Sequence, residues 1–279
     1  MVKTAKKSSR ELGLEVGAMF GRHFFKVEHL HYGLWTNGLE VDVSNLPRAQ
    51  ENYTQNLLSH IPQGVKTILD VGCGAGKNAK RLVDLGYTVD CVSPSAFLGE
   101  RASALLGESS EIFITTYEEL QTDKRYDLVM FSESFQYVKL EKAIEQTVKL
   151  LNDGGYFFIC DIFKRDVQGK SGIGGGHKIN KFFSCVEKAG FKKNTDEDIT
   201  EETAPTIEIL DDAMKNVAVP AIDTSLEFLR GRYPLVTKLL YWKYKKKLDK
   251  VREKYTGGKR SSDDFRHFKT YRLFLYKKE

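Results

Sequence analysis

Short apolar runs alternate along the chain with segments that are apolar on one side only. Runs of buried-strand length lie at 65–71, 87–93, 111–116, 126–132 and 155–163. Helix-like segments lie at 46–61, before the first run, and near 77–86, 97–107, 139–151 and 178–190. Apolar strands that alternate with helices form βαβ units, in which helices cover both faces of a parallel sheet. The pattern predicts an α/β fold with a doubly wound, mostly parallel sheet.

The alternation ends after Phe191, where 191–199 predicts a sixth strand and 270–277 a last one. About 70 residues separate these two runs, and the intervening pattern is helical, with apolar positions three or four apart between 240 and 255. Three prolines are expected to start or break helices there, namely Pro205, Pro220 and Pro234. Gly257-Gly258 predicts a helix end, and Asn152–Gly155 predicts a turn before the fifth strand.

Charge is distributed unevenly along the chain. The net charge is +5, but residues 237–260 alone carry +8 and residues 1–10 carry +4, which leaves −7 for the rest. An acidic body argues against a nucleic-acid groove across the fold, so no nucleic-acid partner is expected. The basic helical segment 237–260 suits an anionic membrane, a phosphorylated substrate or an acidic carrier protein, although a solvated helix face would look the same.

The four cysteines predict a reduced protein in the cytoplasm. They are Cys73, Cys91, Cys160 and Cys185, and none forms a C-x-x-C pair. No metal site is predicted, because His29 and His31 have no apparent third ligand. No apolar run approaches the roughly 18 residues needed to cross a bilayer, and no apolar segment follows the basic N-terminus as in a secretory signal.

The chemistry-bearing motif is Ile68-Leu-Asp-Val-Gly-Cys-Gly-Ala-Gly-Lys77, a buried strand that enters a glycine-rich turn before a helix. Glycines allow a ligand to approach the backbone closely, and the helix N-terminus offers N–H groups to an anion. A dinucleotide-binding turn requires G-x-G-x-x-G. Lys77 stands where its third glycine would be, so a dinucleotide site is the less favoured interpretation.

The order D-x-G-x-G-x-G resembles the first motif of the class I S-adenosylmethionine-dependent methyltransferases, over roughly 46–199 and 270–277. The nearest branch is that of the cyclopropane-fatty-acid synthases and tocopherol methyltransferases. The resemblance implies a seven-stranded sheet with an antiparallel last strand. It implies an N-terminal cap with helices (1–45), a cofactor-binding core (46–199), a helical lid insertion (200–269) and a final core strand (270–279). It also implies S-adenosylmethionine as cofactor, bound at Asp70, Gly72, Cys73, Gly74 and Gly76.

Further cofactor-binding residues follow from the same resemblance. Ser93 takes the place of the acidic residue that grips the ribose hydroxyls in the family, and it is a neutral, weaker partner. Thr116 and Tyr117 follow the third strand and would border the adenine, and Ser132 ends the fourth strand. Trp35 lies in an H-Y-G-x-W segment that closes over the cofactor in relatives. The alternatives are a plain turn at Ser93, a tyrosine that caps the sheet edge and an aromatic packing cluster.

Glu133, His177 and Tyr32 are the candidate catalytic residues on the acceptor side. Glu133 follows an apolar strand at the topological switch point, where ligands bind and a buried unpaired carboxylate is costly. A loop-ordering carboxylate is the alternative. His177 follows the glycine-rich segment 172–176 and could act as a base or simply cap the next helix. Gln136 and Tyr137 replace a Glu-His pair of the cyclopropane synthases, which weakens the case for cyclopropanation.

The resemblance implies an enzyme that transfers a methyl group to carbon, nitrogen or oxygen of a small-molecule or lipid-like acceptor. A nucleic-acid methyltransferase is an alternative, but no N-P-P-Y motif or RNA-binding appendage is apparent. A cofactor-binding scaffold without catalysis is a second alternative, which the intact glycine turn disfavours.

Overall fold

The computed structural model describes residues 29, 31–169, 171–256 and 260–279. Within these ranges, the backbone alone is described at 240, 247, 248, 250–252 and 254–256. The predicted helices before residue 29 and the predicted helix end at Gly257-Gly258 lie outside the described residues. Most side chains of the predicted apolar face between 240 and 255 lie outside the described part too.

Eight strands and nine α-helices make up the described chain. The strands are β1 (Thr67–Val71), β2 (Thr88–Val92), β3 (Ile112–Phe113), β4 (Tyr126–Ser132), β5 (Leu151–Lys164), β6 (His177–Lys178), β7 (Phe191–Asp198) and β8 (Lys269–Lys278). The helices are α1 (Leu46–Ser59), α2 (Lys77–Asp84), α3 (Ala96–Leu106), α4 (Leu140–Leu150), α5 (Ile179–Lys188), α6 (Thr200–Ala213), α7 (Val219–Arg232), α8 (Pro234–Thr256) and α9 (Ser262–Phe268). A π-helical turn, Met214–Ala218, joins α6 to α7.

The strands form one sheet in the order β3-β2-β1-β4-β5-β8-β7, and the short β6 pairs with β5. All pairs are parallel except those of β8, which runs antiparallel to β5 and to β7. The predicted α/β class and the antiparallel last strand are confirmed. The order reverses between β1 and β4, whose carboxyl ends therefore open a crevice.

Four local predictions differ from the structure. The two-residue β6 adds an eighth strand to the seven expected, and β3 is far shorter than 111–116. The Asn152–Gly155 segment is a bulge inside β5, because β4 pairs with Leu151 and then resumes at Tyr156. Gly154 takes a positive φ of 72° there, which lets the strand bend without ending. Pro205 lies inside α6 and neither starts nor breaks it.

Two apolar clusters cover the two faces of the sheet. One joins α1, α2, α6 and α9 to the sheet and contains Tyr53, Phe265 and Tyr271. The other is rich in phenylalanine, joins α4 and α5 to the opposite face and contains Phe135 and Phe182. Sheets covered on both faces bury continuous apolar strands, and this explains the near-continuous apolar runs seen in the sequence.

The segment between β7 and β8 is helical, as predicted, and consists of α6 to α9. Glu201 on α6 pairs with Arg266 on α9 at 2.7 Å. In the part of the chain that the structure describes, no helix is both long enough and apolar enough to cross a membrane.

Candidate functional site

The bend after β1 is built from glycines in the left-handed backbone region. Gly72, Gly74 and Gly76 have φ values of 78°, 58° and 83°. A Cβ on Gly72 would lie 2.4 Å from Cβ of Ser134, and one on Gly76 would lie 3.0 Å from Ala102. Neither position accommodates a side chain, so the bend presents bare backbone. Gly76 is the N-cap of α2, whose first N–H groups therefore face the bend.

Asp70, on β1 just before the bend, is 2% exposed. Burial alone raises the pKa of its carboxyl to about 7. Its Oδ2 has no hydrogen-bond partner among the described residues. A buried carboxyl oxygen without a hydrogen-bond donor is costly, and this one borders the bend, where a donor of a bound molecule would satisfy it.

A cavity of about 510 Å³ opens over this bend at the carboxyl ends of β1, β2 and β4. Its volume lies in the range typical of small-molecule sites. Of the predicted cofactor-binding residues, those that line it are Asp70, Gly72, Cys73, Gly74, Ser93, Thr116, Tyr117 and Ser132, joined by the predicted catalytic Glu133. The structure thus brings together residues from four separate strand ends.

The second and third strand ends form the far side of the cavity. Ser93 is buried, and its hydroxyl donates to the carbonyl oxygen of Ser95 at 3.1 Å, which leaves its lone pairs for a ligand hydroxyl. Tyr117 is 2% exposed, its hydroxyl bonds Thr147 at 2.9 Å, and its ring meets Phe131 edge-on. The Tyr117 ring therefore packs in the core, while the residue still contributes to the cavity lining.

Glu133 has a buried carboxylate with two donors on the same oxygen. Its Oε1 accepts from the backbone N–H of Tyr32 and from the hydroxyl of Tyr271, both at 2.6 Å. Burial raises the pKa of Glu133 to about 8, although these two hydrogen bonds oppose the shift. The Tyr271 hydroxyl oxygen also lies 3.0 Å from the hydroxyl oxygen of Tyr53. The network joins the end of β4 to α1, β8 and the N-terminal segment.

Glu133 also has a φ of 54°, in the left-handed region. This conformation costs a residue with a Cβ about 1–2 kcal/mol, and such outliers cluster at functional sites. The strained backbone and the raised pKa coincide at one residue that lines the cavity, and this makes Glu133 the strongest candidate for acting on a bound molecule.

The N-terminal segment reaches the cavity through different residues from those predicted. His29 and His31 line the cavity, whereas Trp35 and Tyr32 do not. The Trp35 indole donates to Thr206 on α6 at 2.9 Å and packs with Leu46 and Ala49. The Tyr32 ring lies against Phe265 and Tyr271, and only its backbone N–H serves the site. The aromatic-cluster alternative therefore describes Trp35 better than a cofactor role.

His31 is neutral at physiological pH. Burial, with a smaller contribution from the nearby His29, lowers its pKa to about 3. The ring stacks on Tyr53 with centroids 4.3 Å apart, and Nδ1 lies 2.8 Å from the carbonyl oxygen of Tyr32. Within the described ranges, no group of three or more His, Cys, Asp or Glu residues is placed to hold a metal ion.

His177 and Gly76 also lie outside the cavity lining. His177, in β6, pairs with Phe163 of β5. Its Nε2 lies 3.0 Å from the carbonyl oxygen of Phe135. Burial lowers the pKa of His177. The histidine thus connects the end of the glycine-rich segment to the 3-10 turn Phe135–Tyr137 after β4. It precedes α5 without capping it, because Lys178 is the N-cap.

Sequence reasoning missed His31, Tyr53 and Tyr271 as parts of the site. The pairing of Tyr271 with Glu133 spans 138 positions, and no short-range pattern marks it. A tyrosine two residues into an apolar last strand looks like any core aromatic.

Comparisons with known proteins agree with this geometry. Residues 69–159 match a family model described as a methyltransferase domain. An uncharacterised methyltransferase of Mycobacterium tuberculosis is 28% identical over 95 residues, which are 34% of this chain and 39% of that protein. A ubiquinone biosynthesis O-methyltransferase of Rickettsia felis is 31% identical over 144 residues, 49% of this chain and 59% of its own length. The chain thus spans between about two fifths and three fifths of these relatives.

Solved structures match over nearly the whole chain. One match is geranyl diphosphate C-methyltransferase from Streptomyces coelicolor, solved in complex with Mg²⁺, geranyl diphosphate and S-adenosyl-L-homocysteine. It has a TM-score of 0.66 at 15% identity, and the match covers 99% of this chain and all of that one. A cyclopropane synthase of Mycobacterium tuberculosis has a TM-score of 0.66 at 13% identity, with 95% of each chain covered. A [4+2]-cyclase has a TM-score of 0.67 at 16% identity, covering 99% and 97%.

Residues 69–159 therefore match a methyltransferase domain, and the chain shares its fold with solved methyltransferases. The predicted resemblance to methyltransferases is confirmed for residues 69–159. A cyclase with the same fold shows that the fold alone does not fix the reaction.

Proposed function

We propose that the protein is an S-adenosylmethionine-dependent methyltransferase that acts on a small-molecule or lipid-like acceptor. One observation carries the proposal: a buried aspartate, with an orphaned carboxyl oxygen, borders a side-chain-free bend at the switch point of the sheet. An ammonium group would satisfy that oxygen, and a carboxylate would find N–H donors at the bend and at the start of α2. These residues fit the amino-acid part of the cofactor.

The cofactor, when bound, supplies a methyl group on a sulfonium, whose thioether departs readily. Asp70 would bind the amino group, with Gly72, Cys73 and Gly74 lining its carboxylate side. Ser93 would accept a hydrogen bond from a ribose hydroxyl, and Thr116 would border the adenine. The chain's main contributions to the rate are then alignment of the acceptor and exclusion of water.

Glu133 is proposed to act on the acceptor. Both of its described hydrogen bonds end on Oε1, which leaves Oε2 for the acceptor. With a pKa of about 8, the carboxyl is mostly protonated at neutral pH and ionises readily just above it. It can hold an acceptor hydroxyl or amine by donating a hydrogen bond, and as a carboxylate it can take the proton that such an acceptor loses.

The class of acceptor follows from the relatives and remains part of the proposal. The Rickettsia relative is named for ubiquinone biosynthesis and O-methylation, and the Streptomyces structure holds geranyl diphosphate. Both names denote small or lipid-like molecules. Contact of 237–260 with an anionic membrane or a carrier protein stays a prediction from the sequence. The nucleic-acid alternative gains no support from the cavity, because Lys77 is the one lysine or arginine in its described lining.

The test is transfer of a radiolabelled methyl group from adenosylmethionine to a panel of quinol, prenyl and fatty-acyl acceptors. We expect product with at least one member of the panel, and a large loss of turnover in Glu133→Gln with retained cofactor binding. Val41→Ser, an exposed position outside the cavity, serves as the matched control. Release of S-adenosylhomocysteine that does not increase with any acceptor, alongside intact cofactor binding, would favour the scaffold alternative.

A further inference from the structure

The exposed apolar side chains of the protein are concentrated in one part of the fold. Of the seventeen large apolar residues that are exposed in the described chain, eleven lie between Leu210 and Tyr244. Scattered exposed apolar residues are normal, but a contiguous group indicates an interaction surface. The densest part of this group is the junction of α7 and α8, which we define as the hairpin tip, residues 228–246.

Helical spacing aligns the apolar residues of the tip. Leu235, Leu239 and Trp242 follow one another at intervals of four and three residues, so they form one stripe on α8. Their side chains are 83%, 65% and 78% exposed. The inward side of the same helix is marked by Thr237, which is 4% exposed. The apolar stripe therefore faces away from the protein.

The tip is a built structure rather than a frayed end. The hydroxyl of Thr237 lies 2.8 Å from the carbonyl oxygens of both Leu229 and Tyr233, and a hydrogen bond to Leu229 ties α8 to the last turn of α7. The guanidinium of Arg230 lies 4.9 Å from the ring centroid of Tyr241, which links the helices across the hairpin. A preformed hairpin can present its apolar stripe without an ordering cost.

Charge identifies the partner. Residues 228–246 contain six basic residues and no acidic one. All six are exposed, namely Arg230, Arg232, Lys238, Lys243, Lys245 and Lys246. The rest of the chain, apart from the basic N-terminus, is acidic in sum. An anionic surface would attract the tip and repel the body, and this would orient the molecule.

The residue types favour a bilayer over a protein. Lysine is depleted at protein–protein interfaces, whereas three lysines follow the stripe closely here. Lysine and arginine at a lipid surface keep their charge in water while their stems cover apolar groups, and tryptophan prefers the same interfacial depth. Leucine and tryptophan on one side of a basic helix are the composition of helices that lie in the bilayer surface.

We propose that the hairpin tip is a membrane-docking surface, which inserts Leu235, Leu239 and Trp242 into the interfacial layer of an anionic bilayer. The proposal is independent of methyl transfer, because no described residue that lines the cavity belongs to 228–246.

Vesicle cosedimentation tests the proposal with the full chain. Vesicles of phosphatidylcholine alone are compared with vesicles in which about a third of the lipid is phosphatidylglycerol, since anionic lipid supplies the attraction. We expect binding to the anionic vesicles that weakens with salt, and little binding to the neutral ones. The double variant Leu235→Ser/Leu239→Ser should bind at least about tenfold more weakly. Leu85→Ser, an equally polar change at an exposed leucine on another surface, should bind as the unaltered protein does.

Tryptophan fluorescence gives a second readout that needs no variant. The two tryptophans are Trp35, which is buried, and Trp242, which is exposed. We expect anionic vesicles to shift the Trp242 emission to shorter wavelength, and brominated acyl chains to quench it. Failure to bind, equal binding by the double variant with intact circular dichroism, or no quenching would each overturn the proposal. So would a solution dimer that the double variant dissociates, because a second copy would then cover the stripe. S-adenosylhomocysteine calorimetry on the variants keeps this outcome separate from a failure of the cofactor site.

Discussion

Replacement of Gly72 by alanine tests the bare-backbone bend directly. The residue has a φ of 78°, and a Cβ there would lie 2.4 Å from Cβ of Ser134. The left-handed conformation costs an alanine about 1–2 kcal/mol. Overpacking against Ser134 adds about 1–3 kcal/mol, so Gly72→Ala should lower the free energy of unfolding by about 2–5 kcal/mol.

Gly86→Ala is the matched control, because Gly86 has a φ of 93° and no described atom beyond its two chain neighbours lies within 4 Å of the position that a Cβ would take there. Only the conformational cost of about 1–2 kcal/mol applies to this variant. Urea unfolding followed by circular dichroism gives both values, and S-adenosylhomocysteine calorimetry gives the affinity. We expect Gly72→Ala to lose at least about tenfold in affinity and Gly86→Ala to keep it. Equal destabilisation of the two variants would refute the close approach of Gly72 to Ser134.

Three further predictions concern the site and its supports. Because burial raises the pKa of Asp70 to about 7 from 3.8, its contribution to stability is present below pH 4 and is lost as the pH rises towards 7 and above. The difference is on the order of 4 kcal/mol, and urea unfolding between pH 5 and 8 should show a flatter pH dependence in Asp70→Asn. Tyr271→Phe removes a donor to Glu133, so it should lower the free energy of unfolding, measured with urea, by about 1–3 kcal/mol. It should also move the pH–rate profile of methyl transfer to higher pH, because the lost hydrogen bond favoured the ionised carboxylate. An unmoved profile would mean a purely structural role for Tyr271. Thr206→Val removes the acceptor of two buried N–H donors, the backbone of Gly33 and the indole of Trp35. It should lower the free energy of unfolding, measured with urea, by about 2–4 kcal/mol. Thr203→Val is its control, since the Thr203 hydroxyl serves only carbonyls of its own helix, and equal losses would contradict the assignment.

The sequence predicts those parts of the site whose structure depends on residues close together in the chain. Asp70 and the glycine bend could be predicted because the strand, the turn and the helix start lie within ten residues. Ser93 and Glu133 could be placed at strand ends for the same reason, and parallel strand ends meet at one edge of a sheet. Which side chain at a strand end faces the cavity depends on a single residue of register, and so Tyr117 could not be assigned.

Other features depend on contacts between distant parts of the chain. Trp35 was expected at the cofactor, but the acceptor for its indole is Thr206 on α6, which no short-range pattern reveals. Glu133 owes its environment to Tyr271, whose strand follows the entire helical insertion. The residues of the β5 bulge also predict a turn, because a glycine with a positive φ, such as Gly154, suits either structure.

The most direct test of the central claim is calorimetric titration of adenosylmethionine into the unaltered protein and into Asp70→Asn, with NAD as a competing ligand. The account predicts binding of adenosylmethionine by the unaltered protein, an affinity at least about tenfold lower in Asp70→Asn, and no heat from NAD. Binding of adenosylmethionine that does not change in Asp70→Asn, or binding of NAD in its place, would contradict the assignment of the glycine bend.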